Sequence, residues 1–420
     1  MNIPSLKSCL LAGVAALTLL SPIHVMAADD VEKALIKDGK FFGEVRYRYE
    51  HVDQDGFLND AHASTIRTNI GYKTGVYNDF QALLEAQFVQ NIGAEDFNST
   101  TNSKGAFPVV ADPDTTEINQ AWLSWTGLPD TTINIGRAAI NLDNQRFIGT
   151  VGWRQNDQTY DNIHVINSSI PDLTLLYGYI RNVNRIFGGD HALGDLSTNT
   201  HLLNVSYDVA DWMKATAYGY FLDIDRVSTL SSKTYGLRLT GETPIFDTWN
   251  FIYTAEAATQ SDHGNNIINY DENYYHINPG VKGYGFTLEA GYEELGGDGT
   301  NSFQTPLATL HAFNGWADKF LTTPTSGLQD TYAKISYKVS GVNKWIDNTN
   351  LAAAYHEFDG DSNGNFGSEL DLSIGKNFEL TEAGYPFKNI NVLVKYADYN
   401  ADDAPFTDTQ KLWFQVSVKF

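Results

Sequence analysis

The chain has 420 residues, with 23 Tyr, 23 Phe, 35 Gly, 3 Met, 1 Cys and a formal net charge of −23. A mean hydropathy of −0.30 excludes a helical membrane protein, whose spans need about 20 consecutive apolar residues each. The acidic balance excludes a nucleic-acid binder, which needs a basic footprint, whereas many aromatics and glycines without long apolar runs suit strands joined by tight turns.

Residues 1–27 read as a secretory signal peptide. Lys7 supplies a positive start, Cys9 to Leu20 form an apolar run too short to span a bilayer, and Ser21-Pro22 break it. Cleavage is expected after Ala27 or Ala28. Cys9 precedes the apolar run, so it is not a lipoprotein cysteine, and its removal takes away the only thiol. An exported chain with no disulfide must be held by its own hydrogen-bonded framework. Residues 28–420 then form one domain.

Strand patterning begins at once. GEVRYRYE alternates Glu44, Arg46, Arg48 and Glu50 with Val45, Tyr47 and Tyr49. The next segment sets Ile66, Ile70, Tyr72 and Val76 against Arg67, Asn69 and Lys73. Phe80, Ala82, Leu84, Ala86 and Phe88 then oppose Gln81, Glu85 and Gln87. The period of two recurs at Tyr284–Tyr292 and Ile390–Tyr396. It ends with Leu412, Phe414, Val416, Val418 and Phe420 opposite Trp413, Gln415, Ser417 and Lys419. Glu117–Trp125 and Tyr270–Asn278 do not alternate cleanly, which a bulge or a shifted boundary would explain.

Connections alternate in length. Short ones are expected at Tyr77–Asp79, Gly127–Asp130, Ser168–Asp172, Ala210–Asp211, Gly280–Gly283 and Val342–Ile346. Long ones are expected at 51–62, 93–114, 141–158, 187–198, 261–269, 297–328, 359–366 and 399–408. Short turns at one end and long loops at the other predict an all-β, antiparallel, up-and-down transmembrane β-barrel with about 18 strands, 16 being the alternative. Closure is required because lipid leaves backbone donors and acceptors at an open edge unsatisfied. The competing reading is a secreted sandwich or propeller with the apolar parity facing a core. Aromatics near strand ends (Tyr47, Tyr49, Tyr77, Trp125, Tyr177, Tyr179, Tyr207, Trp249, Tyr337, Tyr355 and Tyr396) favour the barrel, as an interfacial girdle. The final Phe420 resembles the assembly signal of Gram-negative outer-membrane proteins. It implies the assembly machinery as a partner, with membrane lipid and lipopolysaccharide around the wall.

The inward parity is wet and of mixed charge. Arg46, Arg48, Arg67 and Lys73 are candidate pore-lining residues, because closely spaced Arg and Glu in a channel set a transverse field and a size limit. Much of the surplus Asp lies in loops, so overall acidity does not imply cation selectivity.

Two loop segments mix cations, aromatics and amides, a chemistry suited to sugars or carboxylates. They are GRAAINLDNQRFIGTVGWRQNDQTYD at 136–161 and SFQTPLATLHAFNGWADKFLTTPTSGLQD at 302–330. The first resembles the region of the alginate-export-like outer-membrane porin family in which a strand ends at Gly-Arg and runs through an Asn-Gln-Arg-Phe turn to Gly-Trp-Arg-Gln. The second is similar to that family's Phe-x-Gly-Trp-Ala-Asp-Lys-Phe loop. The resemblance implies an 18-stranded barrel passing a polysaccharide or small solutes. It carries substrate-contacting roles onto Arg137, Asn144, Gln145, Arg146, Trp153, Arg154, Gln155, Trp316, Asp318 and Lys319.

The function expected is an outer-membrane channel for passive diffusion or export of polar solutes, saccharides or an anionic polysaccharide such as alginate. A plugged or non-conducting ligand-binding or adhesion barrel is the alternative. A barrel enzyme is disfavoured, since no nucleophile motif is present and the His residues are scattered singly. No cofactor is expected. Asp359, Asp361 and Asn363 begin like a calcium loop, but Leu370 stands where the bidentate Glu belongs, so a flexible acidic loop is preferred.

Overall fold

The computed structural model describes residues 28–361, 363–380 and 387–420. The expected leader, 1–27, lies outside the described residues. Ala28–Glu32 form a short helix, α1, continued by a wider turn at Lys33–Lys37. Ala34 is buried there, and its carbonyl accepts a hydrogen bond from Gly75 N at 2.9 Å.

Eighteen strands follow among the described residues. The first nine are β1 (Lys40–Gln54), β2 (Ala61–Lys73), β3 (Phe80–Asp96), β4 (Thr115–Leu128), β5 (Thr131–Ala138), β6 (Thr159–Asn167), β7 (Leu173–Asn184), β8 (Asp195–Ala210) and β9 (Met213–Leu222). The rest are β10 (Ser232–Phe246), β11 (Trp249–Asp262), β12 (Asp271–Gly283), β13 (Phe286–Leu295), β14 (Leu328–Lys338), β15 (Thr349–Asp359), β16 (Asn365–Glu379), β17 (Asn389–Asn400) and β18 (Thr409–Lys419). Each pairs antiparallel with its sequence neighbours, and β1 pairs with β18 from Glu44↔Lys419 to Gln54↔Thr409. The sheet therefore has no edge, as lipid requires. Among the described residues no helix is long and apolar enough to cross a membrane.

The two parities face as the alternation predicts. Ile70, Leu84, Leu288, Leu372, Leu412 and Phe414 stand exposed on the outside. Arg48, Arg67, Glu85, Gln87, Glu293, Lys395 and Gln415 are buried on the inside.

The irregular segments have separate causes. The β3–β4 register shifts between Glu85 and Ala86, whose partners are Gln120 and Ile118. Asn119 is thus an extra residue, and alternation changes phase there. Tyr270–Asn278 contains no shift. Glu272, Tyr274 and Asn278 all face inward on β12, and Tyr274 broke the pattern because it is an aromatic on the inner wall. One turn moves from its expected place. Gly280–Gly283 belong to β12, and the chain reverses at Tyr284-Gly285, both with positive φ (52° and 84°), as a twist-matched two-residue hairpin demands. A further long-end connection, 223–231, lies between β9 and β10.

Candidate functional site

The β5–β6 loop, 139–158, does not extend outward. It turns on positive-φ residues Asp143, Gln145 and Val151 and buries Ile140, Leu142, Phe147 and Ile148 inside the barrel. The Phe147 ring lies 5.1 Å from Tyr218, 5.5 Å from Tyr274 and 6.0 Å from Phe303. Tyr218 and Tyr274 are inward residues of β9 and β12, and Phe303 belongs to the β13–β14 loop. This loop, 296–327, folds inward as well. Gly149 N donates to Leu307 O at 2.9 Å, and Thr309 N to Gln145 O at 3.0 Å. Thr309 Oγ1 donates to Gln145 Oε1 at 2.7 Å. The two motif-bearing loops are therefore one internal unit, built around an apolar cluster that keeps it in place.

Arginines fasten this unit to the wall. Arg46 donates to Gln155 Oε1 at 3.0 Å, Gly152 O at 2.9 Å and Arg154 O at 2.5 Å. Arg48 donates to Trp153 O at 2.5 Å and Gln415 Oε1 at 2.7 Å, and its guanidinium lies 4.1 Å over the Trp153 ring. Arg67 bridges Glu44 (3.0 Å) and Asp157 (3.1 Å). Arg154 runs the other way, from the loop to Glu50 on β1 and to Asp112 at 2.9 Å. Arg146 reaches across to Glu293 on β13 at 2.8 Å and to Asn314 at 2.9 Å. These planar forks each satisfy several acceptors at once in a fixed geometry, which a lysine's point charge on a flexible stem does not provide. Burial alone would raise the Asp112 carboxyl, but the Arg154 and Arg48 guanidiniums outweigh it and hold the group below its usual range.

Wall residues complete a second cluster. Lys395 Nζ lies 3.6 Å over Trp316, 4.0 Å over Trp153 and 5.4 Å over Trp413. It also meets His311 Nε2 at 2.7 Å. His311 stacks on Trp153 at 4.4 Å and contacts Asp318 Oδ1 through Nδ1 at 2.8 Å, while Lys411 meets Asp318 Oδ2 at 2.8 Å. With Lys395 donating to Nε2, the network assigns the proton on His311 to Nδ1, where it is donated to Asp318. Burial first, and the Lys395 charge second, push His311 down to about 3, so the ring is neutral. Asp318 is held well below the carboxylate range, since Lys411 and its other partners overcome its burial. Lys319 donates to Thr409 Oγ1 at 2.8 Å and lies 3.4 Å from Thr407 Oγ1, and burial followed by the nearby Lys411 pushes it down to about 8.

The structure thus gathers Arg46, Arg48, Arg67, Gln145, Arg146, Trp153, Arg154, Gln155, Trp316, Asp318 and Lys319 into one inner assembly. Asn144 has a local role, its side chain accepting from Arg146 N at 3.3 Å. Two candidates fall outside. Lys73 is exposed at the end of β2, 5.7 Å from the Trp122 ring. Arg137 requires a correction: it shares a face with Ile135 (53% exposed) and pairs with Asp161, which shares a face with Ile163 (39% exposed), so it lies on the outer side of the wall. Period two puts residue 137 opposite Ala138, and only the structure says which parity points outward on so short a strand. Arg46 (5% exposed) and Arg48 (0%) do not face open water; the loop covers them. Asp361 accepts from Gln329 Nε2 at 3.2 Å and Gly297 N at 3.3 Å, tying loops together within the segment that had suggested calcium through Asp359, Asp361 and Asn363.

Asp112, His311, Lys411 and Trp413 also belong to the site, although no sequence motif singles them out. Inward parity on β18 was the available signal for Lys411 and Trp413. None marked Asp112, which sits in a long polar loop.

The opposite end of the barrel holds a cavity of ≈ 470 Å³, lined in part by Asp208, Lys214, Glu242, Thr254, Asn278 and Glu289. An edgeless eighteen-strand wall, apolar outside and polar inside, with loops folded into its bore, defines an outer-membrane barrel of the porin class in a Gram-negative bacterium. Residues 39–271, more than half of the chain, match the alginate export family model, and the protein belongs to that family. Solved structures share the fold. OpdK from Pseudomonas aeruginosa, solved with vanillate, superposes with a TM-score of 0.70 at 13% identity, covering 92% of this chain and 99% of that one. OccK9 (OpdG) from the same organism gives 0.70 at 15% identity, covering 92% and 100%. OccAB3 from Acinetobacter baumannii gives 0.71 at 14% identity, also covering 92% and 100%. A comparison with curated protein sequences returns no match.

Proposed function

We propose that the protein is a passive outer-membrane channel for small carboxylate-bearing solutes, uronate saccharides among them, with the folded-in loops as its selective constriction. One observation carries this reading. Among the described residues, Arg46, Lys319 and Lys395 have hydrogen-bond partners but no ion-paired carboxylate. Their hydrogen-bond partners are neutral groups, and Lys395 lies over the faces of Trp153 and Trp316. A carboxylate gains both charge and donors there, and a sugar face gains an aromatic platform. Lys319 and Trp316 are the half-buried members, placed to touch a solute first. The alginate export family and the vanillate-bound OpdK both point to carboxylate cargo.

Planar bilayers test the reading. Purified barrel should give stepwise conductance with an anion-preferring reversal potential, and uronate oligosaccharides should block it. Lys319→Ala should move the potential toward cations. Cation preference in the parent protein, untouched by that substitution, would refute it.

The second reading is a barrel closed in its resting state. Complete burial of Trp413, Arg48 and Glu369 within the bore favours it. Bilayers that stay silent until the 139–158 loop is deleted would select it. The porin-class fold and the export family support transport over catalysis under either reading. The proposal includes removal of the leader at Ala27 or Ala28, and recognition of Phe420 by the assembly machinery. Phe420 caps the closure seam, exchanging backbone hydrogen bonds with Gly43 at 3.0 and 3.2 Å.

A further inference from the structure

We propose that His51, Asp60 and His62 form a binding site for a zinc-class divalent cation on the outer face of the barrel rim, distinct from the internal cluster. His51 lies on β1 directly opposite His62 on β2. Both share the outward parity of Tyr47 and Tyr49, while Arg48, Glu50 and Val52 are buried inside. Their rings stack at 4.7 Å with 22° between planes. Asp60 ends the 55–60 connection and is exposed. One ligand atom from each of the three residues lies within 4.8 Å of the others.

The donor set selects the metal. Two imidazoles and one carboxylate suit zinc, copper or nickel, whereas magnesium and calcium take oxygen ligands. Ligands held about 2.0–2.2 Å from a tetrahedral ion stand roughly 3.3 Å apart, so the cluster has to tighten by about 1.5 Å at most. Asp60 supplies that movement, being an exposed loop residue next to the strand end. Three protein ligands leave a fourth position for water or an external donor.

Two hydrogen-bonding facts point the same way. His62 Nδ1 lies 2.8 Å from the Tyr49 hydroxyl. With Nδ1–H donating to that oxygen, the lone pair is left on Nε2, the arrangement by which outer partners orient metal-bound histidines. His51 Nδ1 is buried and has no hydrogen-bond partner. A buried polar atom without a partner costs free energy, and an ion is one way to satisfy it. Histidines serving only as interfacial aromatics would need neither the carboxylate nor the orphan nitrogen. A bound cation would tie the 55–60 connection, with its exposed Phe57 and Leu58, to two strands of the wall.

The experiment uses the full barrel, free of any affinity tag, in detergent. The protein is dialysed against zinc chloride and the zinc per barrel is measured. Retention of the fold is checked in every variant by the slower migration that heating produces on a denaturing gel. One equivalent is expected in the parent protein, lost on H51Q and on H62Q and competed away by chelator but not by excess magnesium. Copper loaded in place of zinc should give an electron-spin spectrum with two-nitrogen splitting, lost in the same variants. A parent protein without bound zinc, or an equivalent that persists in the doubly substituted H51Q/H62Q barrel, overturns the proposal.

Discussion

Arg154 joins the loop to two carboxylates, Glu50 and Asp112, all three buried. Removing a cation from such a set leaves buried charge without compensation, which typically costs about 3–5 kcal/mol. Arg154→Ala should therefore detach the 139–158 loop while the wall stays closed. The expected readout is a larger and noisier single-channel conductance with unchanged gel migration. Lys319 carries a different prediction. Its ammonium titrates at about 8, so it is charged below that pH and neutral above it. Anion preference should fall as pH rises through about 8, and Lys319→Arg, which stays charged, should abolish the change. Neither residue's role was evident from its neighbours in sequence. Arg154 sits in a motif of the right chemistry, but its partners lie 104 and 42 residues away. Lys319 faces Thr409, 90 residues on.

At the scale of elements, the docked loops respond to acid. His311 is held down to about 3 by burial and then by Lys395, while a free imidazole titrates near about 6.5. A released loop binds a proton that the docked loop refuses. Docking is thus fully stable above about 6.5 and weakens as pH falls toward 3. Asp112 and Asp318, both held below their usual range, add to the loss below about pH 4. Proteolysis within 139–158 and 296–327 should accelerate over that window, and H311Q should flatten its upper part. The β4–β5 hairpin has a backbone requirement instead. Gly136 has φ +127° and packs against the backbone of Ala121 and Trp122, so a Cβ there meets main chain. Gly136→Ala should lower the unfolding midpoint in urea, at a cost of about 1–3 kcal/mol, with little effect on selectivity. The hairpins themselves were readable as alternation, but the Asn119 bulge was not, because an inserted residue and a displaced boundary look alike along a chain.

For the whole molecule, the outward stripes make one commitment. Leu84, Ile135, Leu237, Ile277, Ile335 and Ile374 are exposed around the wall, an apolar band with no protein cover that only acyl chains or detergent can satisfy. The native protein should need detergent to stay monodisperse and should migrate faster on a gel before heating than after. A species that is folded and monodisperse in plain buffer would contradict the membrane reading.

The sequence by itself determined which side of most ribbons meets lipid, where most chain reversals fall and that the sheet closes, while on β5 only the structure showed the outward parity. Those features follow from a local period of two and from lipid's refusal to hydrogen-bond. Only the tertiary structure decided what fills the bore. Phe147 drew Tyr218 and Tyr274 to an inner wall that had been expected to be polar, and Arg46 and Arg48 became loop anchors under cover. Lys395 found its tryptophan cage and His311 its neutral form in the same way. Such partnerships join side chains as far apart as Arg48 and Gln415, 367 positions along the chain. No local pattern encodes them, since they depend on which loops turn inward and how deep they sit.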